Sequence, residues 1–143
     1  MTGDHIGRSL RRLEDERFLT GQGRYVDDIA VLGQLHGVVL RSPHGHALIE
    51  EIDVAAARAM PGVRGVFTAA DLDADGIGTL PCIARVATVA PIIVPPRRAL
   101  ARDRVPHVGD PVAFVVADTV QQARDAAERV AVSYQPLPAV VHA

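Results

Sequence analysis

Cysteine is almost absent from this chain, since Cys82 is the only one among 143 residues. A single cysteine excludes an internal disulfide and any metal site built from cysteines alone. Tryptophan and lysine are missing, and aromatic residues make up only 3% of the sequence. The core must therefore be aliphatic, and we expect no aromatic platform on which bases or sugars could stack.

An excess of charge of either sign is also missing, because 15 basic residues face 17 acidic ones and the formal net charge is −2. We therefore expect no basic surface large enough to bind nucleic acid. The most apolar stretch, residues 86–96, has about half the length of a membrane span and is broken by Pro91, Pro95 and Pro96. The first 18 residues contain no apolar stretch typical of a signal peptide, so we expect a cytoplasmic protein with no membrane span.

The length and the composition fit one folded domain over residues 1–143, with 48% hydrophobic and 22% charged residues. Residues 1–22 are polar and rich in arginine, and they show no helical period. We expect an extended arm there that lies over a surface, with Arg11, Arg12 and Arg17 as candidate docking residues. The alternative is a solvated flexible tail.

The rest of the pattern predicts short strands and short helices, and hence an α+β fold. Apolar runs predict strands at residues 25–26, 35–40, 47–52, 63–67, 112–116 and 130–134, with residues 35–40 buried on both faces. Asp53 is predicted to cap a helix over residues 54–60, and Thr68 with Asp71 forms a capping box for one helical turn. Residues 72–108 show no period and are predicted to be a long excursion with one or two short strands.

The clearest helix follows Thr119, which has Gln122 at the third position of a capping box. Small apolar residues recur three and four positions apart along it, at Ala123, Ala126, Ala127 and Val130. Asp125 and Arg129 are spaced to form an ion pair on another face. A strand, a helix and a strand with short connections form an α/β unit, so we expect the two flanking strands to be parallel.

Three histidines form the sharpest local hypothesis. His44 and His46 lie one residue apart, and His36 could reach them across a hairpin to make a metal site. However, Pro43 and Gly45 place the pair in a turn, and no carboxylate lies nearby at ligand spacing. Loop histidines that bond to the backbone are the commoner case, and we favour that interpretation.

A calcium loop is a second hypothesis, because Asp71, Asp73, Asp75 and Gly76 match the opening of such a motif. The twelfth position, which should supply a bidentate carboxylate, is Cys82. No long helix is predicted on either side. A solvated acidic turn therefore explains the spacing better than a calcium site.

The other reactive residues give weaker patterns. Cys82 has no base that the sequence identifies, although His44, His46 or His107 could approach it in the fold, so a structural or idle thiol is favoured over a nucleophile. Neighbouring Asp27 and Asp28 are explained by turn contacts. Gly21 and Gly23 lack the strand and helix that a dinucleotide-binding loop requires. We assign no catalytic, cofactor-binding or metal-binding residue from the sequence.

Several motifs nevertheless occur together in an order that resembles one family. They are IGRS at 6–9, TGQGRYVDDI at 20–29, RSPHGHA at 41–47, MPGV at 60–63, FTAADL at 67–72, VGDPVA at 108–113 and VSYQPLP at 132–138. This order resembles the N-terminal α/β hammerhead domain of the molybdenum hydroxylase large subunit. Xanthine dehydrogenase, aldehyde oxidase and aerobic carbon monoxide dehydrogenase belong to that group. The resemblance covers the chain except for parts of residues 73–105.

The resemblance implies a single hammerhead domain with small mixed sheets and two main helices. It also implies a complete enzyme that oxidises an aldehyde, an N-heterocycle or carbon monoxide, with a molybdopterin cytosine dinucleotide in the large subunit and iron–sulfur centres and FAD on companion subunits. The family's active-site glutamate and cofactor-binding loops would lie outside these 143 residues. We therefore expect a truncated or separately encoded structural piece that is inactive alone.

Two alternatives to this function are a free-standing adaptor module without a redox partner and a small metal-binding protein that uses His36, His44 and His46. The family also differs from this chain at some positions. It usually has glutamate where Asp110 stands, and acidic residues near Ser133 and Gln135. Such substitutions bear on subunit contacts more than on the fold.

Overall fold

The computed structural model describes residue 7, residues 9–83 and residues 92–140. It separates into two compact units, Met1–Gln34 and Leu35–Ala143. Among the described residues, no helix combines the length and the apolar character needed to cross a bilayer.

The first unit contains a short helix, α1 (Asp15–Leu19), and a single 3₁₀ turn (Val26–Asp28). The expectation of an extended arm is wrong at residues 15–19, because they form α1, whose first turn carries acidic residues that stabilise it. The strand predicted at residues 25–26 is wrong, because an Asp28 carboxylate oxygen accepts a hydrogen bond from the Tyr25 N–H at 2.8 Å and closes a turn there. The Tyr25 ring stacks on Phe18 with a centroid distance of 5.5 Å.

In the residues that the structure describes, the second unit contains two three-stranded sheets and three helices. In chain order the elements are β1 (His36–Arg41), β2 (Ala47–Asp53), α2 (Ala55–Arg58), β3 (Val63–Phe67), α3 (Ala69–Ala74), β4 (Arg104–Val105), β5 (Pro111–Ala117), α4 (Val120–Ala127) and β6 (Ala131–Pro136). The first sheet has the order β1-β5-β3 and the second has the order β4-β2-β6. The predicted α+β class with small sheets is confirmed.

Every strand pair in the two sheets is antiparallel. The expectation of parallel strands around α4 is therefore wrong, because β5 and β6 lie in different sheets. Both edges of β5 are already hydrogen-bonded, to β1 on one side and β3 on the other, so β6 has no edge of β5 to join. It pairs with β2 instead, where Ile52 faces Val132.

Local signals in the sequence placed most helix starts correctly. Asp53 accepts a hydrogen bond from the Ala55 N–H at 2.8 Å, and the helix that follows, α2, is shorter than predicted. The capping box of Thr68 and Asp71 is present at the start of α3. Thr119 accepts from the Gln122 N–H at 3.2 Å at the start of α4.

The α4 helix buries its small residues as predicted, since Ala123, Ala126 and Ala127 are buried. The predicted ion pair between Asp125 and Arg129 is wrong within the described structure. Instead, Gln121, one turn earlier in the helix, donates a hydrogen bond to the Asp125 carboxylate at 2.7 Å. Such contacts four residues apart compete for the same carboxylate.

Two aliphatic clusters form the core of the second unit. The larger one lies between α4 and the first sheet and contains Ala57, Val66, Ala113, Val115, Ala126, Ala127 and Val130. The smaller one contains Ala47, Ala101, Val105 and Val112. Ile52 and Val132, both from the second sheet, pack against both clusters. Burial of β1 on both faces is wrong, because β1 is an edge strand whose residues are half-buried or exposed.

Candidate functional site

The loop between β1 and β2, residues 42–46, is held firmly by hydrogen bonds. Ser42 is 2% exposed, and its Oγ accepts from the His44 N–H at 3.0 Å. The Ser42 N–H donates to the Asp110 carbonyl at 2.9 Å, and the Gly109 N–H donates to the Ser42 carbonyl at 2.8 Å. These contacts join the loop to the turn before β5, so they fix the backbone that carries the histidines after Ser42.

The two histidines of this loop contact the end of β6 and the residues after it. His46 Nδ1 lies 2.9 Å from the Pro138 carbonyl oxygen, which can only accept, so this nitrogen carries the proton. The Leu137 N–H donates to the His46 carbonyl at 2.9 Å. The His44 ring packs against Tyr134 at a centroid distance of 4.8 Å, and partial burial raises the pKa of Tyr134. Both histidines therefore fasten the C-terminal segment to the loop.

The structure does not bring the three histidines together. His36 begins β1 and faces Ala117, whereas His44 follows the opposite end of that strand. The hairpin that would have joined them does not form, because β1 and β2 belong to different sheets. No group of three or more His, Cys, Asp or Glu side chains that could hold a metal ion occurs among the described residues. The interpretation as a backbone-bonded loop histidine agrees with the contact of His46, whereas the His44 ring packs on Tyr134.

The aspartates of the candidate calcium motif have different partners and different structural roles. Asp71 accepts hydrogen bonds from the Thr68 N–H at 2.6 Å and from Thr68 Oγ1 at 2.8 Å. The backbone bond from Thr68 is the main reason that the pKa of Asp71 is lowered, and Arg58 adds to it. Asp73 lies on the same helix and Asp75 ends it, so a helix occupies the place of a calcium loop.

Asp73 binds two arginines from the segment before β4. Arg98 and Arg102 each donate to one of its carboxylate oxygens, the second at 2.7 Å. The hydrogen bond from Arg98 is the largest cause of the lowered pKa of Asp73, and the charge of Arg102 adds to it. The solvated acidic turn favoured from the sequence is therefore an ion-paired helix that anchors the excursion.

Sequence reasoning missed an open cleft that this excursion builds. The cleft has a volume of about 720 Å³ and carries four arginines on its wall. It is lined by Pro95, Pro96, Arg97, Arg98, Ala101, Arg102, Asp103, Arg104, Pro106, His107 and Asp110. The signal available in the sequence was the density of arginine between residues 97 and 104. Nothing in the sequence alone placed those arginines around one space.

The remaining candidates do not join a common site among the described residues. Cys82 is a free and exposed thiol. Asp28 caps the turn at Tyr25, which agrees with the turn contacts expected for Asp27 and Asp28. Gly21 follows a helix and has a φ of 71°, a conformation that favours glycine.

The arginines proposed for docking are exposed in the first unit. Arg12 Nε lies 3.5 Å from an Asp15 carboxylate oxygen, and both side chains are largely solvated. Solvated ion pairs of this kind contribute little to stability. The docking role of Arg11, Arg12 and Arg17 stays a prediction.

The described residues contain no cluster of three or more His, Cys, Asp or Glu side chains that could hold a metal ion, and three of the candidate ligands are already engaged in hydrogen bonds or ion pairs. Asp71 and Asp73 are engaged by Thr68 and by arginines, and His46 is engaged by a backbone carbonyl. We therefore assign no cofactor ligand to this chain.

Comparison with known proteins decides what kind of domain this is. The family model of the aldehyde oxidase and xanthine dehydrogenase a/b hammerhead domain matches residues 20–138. The chain belongs to this family. The resemblance seen in the sequence motifs is thereby confirmed, and so is the hammerhead fold.

The hammerhead domain is similar to segments of much longer proteins. It is 41% identical over 136 residues to the carbon monoxide dehydrogenase large chain of Afipia carboxidovorans, covering 95% of this chain and 16% of that one. It is 40% identical over 141 residues to the nicotine 6-hydroxylase large subunit of Paenarthrobacter nicotinovorans, covering 99% of this chain and 17% of that one.

A solved structure shows the same fold at similar identity. The structure of quinoline 2-oxidoreductase from Pseudomonas putida 86 matches 96% of the hammerhead domain and 17% of its own chain, with a TM-score of 0.80 and 41% identity. The hammerhead domain thus spans about a sixth of the length of the relatives it matches.

Proposed function

We propose that this hammerhead domain is the structural domain of a molybdenum hydroxylase large subunit. The match of residues 20–138 to the family, with about a sixth of each large-subunit relative covered, carries the proposal. In the complete enzyme, oxygen from water enters an aldehyde or an N-heterocycle, or carbon monoxide is oxidised.

The chemistry of this enzyme belongs to groups outside the described residues. The remainder of the large subunit would hold a molybdopterin, proposed in its cytosine dinucleotide form, whose molybdenum would supply the oxidising chemistry, and iron–sulfur centres and FAD on companion subunits would serve as electron acceptors. In this proposal the enzyme is cytoplasmic and binds no nucleic acid.

The proposed role of the hammerhead domain is architectural. Its rigid parts are the loop at Ser42, which is bonded on both sides, and the helix α3, whose Asp73 holds two arginines. A fixed scaffold of this kind can wall a substrate path without supplying a reacting group. Residues 1–22 form an arm in this proposal, and we predict that it contacts the cofactor-bearing remainder.

A chimeric enzyme tests the proposal. The matching segment of the Afipia carboxidovorans carbon monoxide dehydrogenase large chain is replaced by residues 1–143, and the chimera is produced with its companion subunits. We expect an assembled enzyme that contains molybdenum and oxidises carbon monoxide, measured by metal analysis and dye reduction.

The isolated 143-residue chain is the control, and we expect it to show no turnover with carbon monoxide or an aldehyde and a dye acceptor. Turnover by the isolated chain would contradict the architectural role. Failure of the chimera to assemble would contradict the proposed role as a domain of such a large subunit.

A further inference from the structure

Two stretches of the excursion between α3 and β4, joined by one antiparallel bridge, expose aliphatic side chains. The side chains are those of Ile77, Leu80, Ile83, Ile92, Ile93 and Val94, and we call them the apolar edge. Ile83 is 88% exposed and Ile93 is 92% exposed. The two stretches run antiparallel at one bridge, where the Leu80 N–H donates to the Arg97 carbonyl at 2.7 Å.

Single exposed aliphatic residues are ordinary, but a group of six in two bridged stretches is not. Large exposed apolar groups on a folded domain mark surfaces that another protein covers. The apolar edge also adjoins the arginine cleft, because Arg97 belongs to the bridge and lines the cleft. An apolar centre beside arginines, in a chain with no lysine, has the composition typical of protein interfaces.

We infer that the apolar edge is the surface on which the remainder of the large subunit packs. This inference rests on the proposed function, since the occupant is the part of the large subunit that this domain does not supply. The relatives are about six times as long as the hammerhead domain, so each has a large body of chain against which such a surface can be buried.

The arginines of the cleft lie beside the apolar edge and supply the positive charge of the same surface. Arg98 and Arg102 are engaged by Asp73, whereas Arg97 and Arg104 form no ion pair with an acidic side chain in the part of the chain that the structure describes. The packed surface of the remainder is therefore aliphatic opposite Ile83 and Ile93, and it carries carboxylates opposite the cleft.

The chimeric carbon monoxide dehydrogenase tests this surface. The double variant Ile83→Glu with Ile93→Glu is compared with Leu32→Glu, which changes another fully exposed aliphatic residue outside the apolar edge. We expect the double variant to lower the assembled fraction about tenfold or more, because its carboxylates are buried without partners at the interface. Leu32→Glu is expected to assemble like the unaltered chimera.

Size-exclusion chromatography with molybdenum analysis measures the assembled fraction, and circular dichroism of each 143-residue variant shows that it is folded. If the double variant folds and assembles as well as Leu32→Glu, the apolar edge is not the interface, while the proposed function still stands. If the unaltered chimera does not assemble, the proposed function itself fails. Slower hydrogen exchange at residues 77–83 in the chimera than in the free chain is the second expected result.

Discussion

Individual carboxylates in this domain owe their properties to the donors around them. Asp71 and Asp73 are two residues apart on α3, yet one caps a helix through Thr68 and the other binds Arg98 and Arg102. Both have a lowered pKa, for different leading reasons. Two of the three aspartates that match a metal motif thus have structural roles, one in a helix cap and one in ion pairs.

The pH dependence of stability follows from the sign of these pKa changes. The folded pKa of Asp73 lies below its usual value, so the folded state binds fewer protons than the unfolded state. The stabilising effect of Asp73 is complete above its pKa in the unfolded state, about 3.9, and is lost as the pH falls through its lowered pKa in the folded state.

We expect Asp73→Asn to unfold more easily than the unaltered chain at pH 7 and equally easily once the pH is below the folded pKa. Denaturant unfolding at a series of pH values measures this difference. Asp75→Asn is the control, because Asp75 forms no ion pair among the described residues and is exposed. A constant difference across the acidic range would show that Asp73 does not stabilise through its charge.

At the scale of elements, small side chains let short helices pack closely on the first sheet. α2 and α4 present alanine to the larger aliphatic cluster, and Ala57 and Ala126 are fully buried there. Alanine lets helix and sheet approach without voids, and it favours the helix at the same positions. The sequence predicted the narrow stripe of small residues in α4, but it did not show that this stripe packs against the first sheet.

The packing of α2 predicts different effects at adjacent alanines. Ala57→Leu places extra methyl groups in a filled core and should lower the free energy of unfolding by about 1–3 kcal/mol. Ala56→Leu points a similar side chain into solvent on the same helix, so its effect should stay within about 0.5 kcal/mol. Urea unfolding of both variants measures the contrast, and equal effects would contradict the assigned face of α2.

The whole second unit is held together by side chains that belong to one sheet and pack with the other. Val112 lies on β5 of the first sheet, but it packs with Ala47 and Val105 of the second sheet. Ile52 and Val132 make the reverse connection to the larger cluster. The two sheets should therefore unfold in one cooperative step.

Val112→Ala tests this cooperativity. The substitution removes methyl groups from a fully buried site and should cost about 1–3 kcal/mol of stability. Because the sheets share this contact, amide protection against hydrogen exchange should fall by the same factor in β1 and in β6. Loss of protection confined to one sheet would show that the sheets open separately, and Val140→Ala, at an exposed position, is the control.

The amino-acid sequence by itself determined the local features of this protein. Strand positions such as residues 63–67, the helix starts at Thr68 and Thr119, and the family motifs all depend on neighbours close along the chain. Such signals rest on backbone and capping chemistry that acts within a few residues. The same information led to the correct fold class and family.

Only the tertiary structure decided which elements meet. Because both edges of β5 are hydrogen-bonded to other strands, β6 pairs in the other sheet. Because β1 and β2 lie in different sheets, His36 is not close to His44 and His46. The arginine cleft and the apolar edge depend in the same way on Asp73 and on the bridge between Leu80 and Arg97. These contacts join residues far apart in the chain. Which of the possible long-range pairings forms depends on the whole fold, so it cannot be predicted from a short sequence pattern.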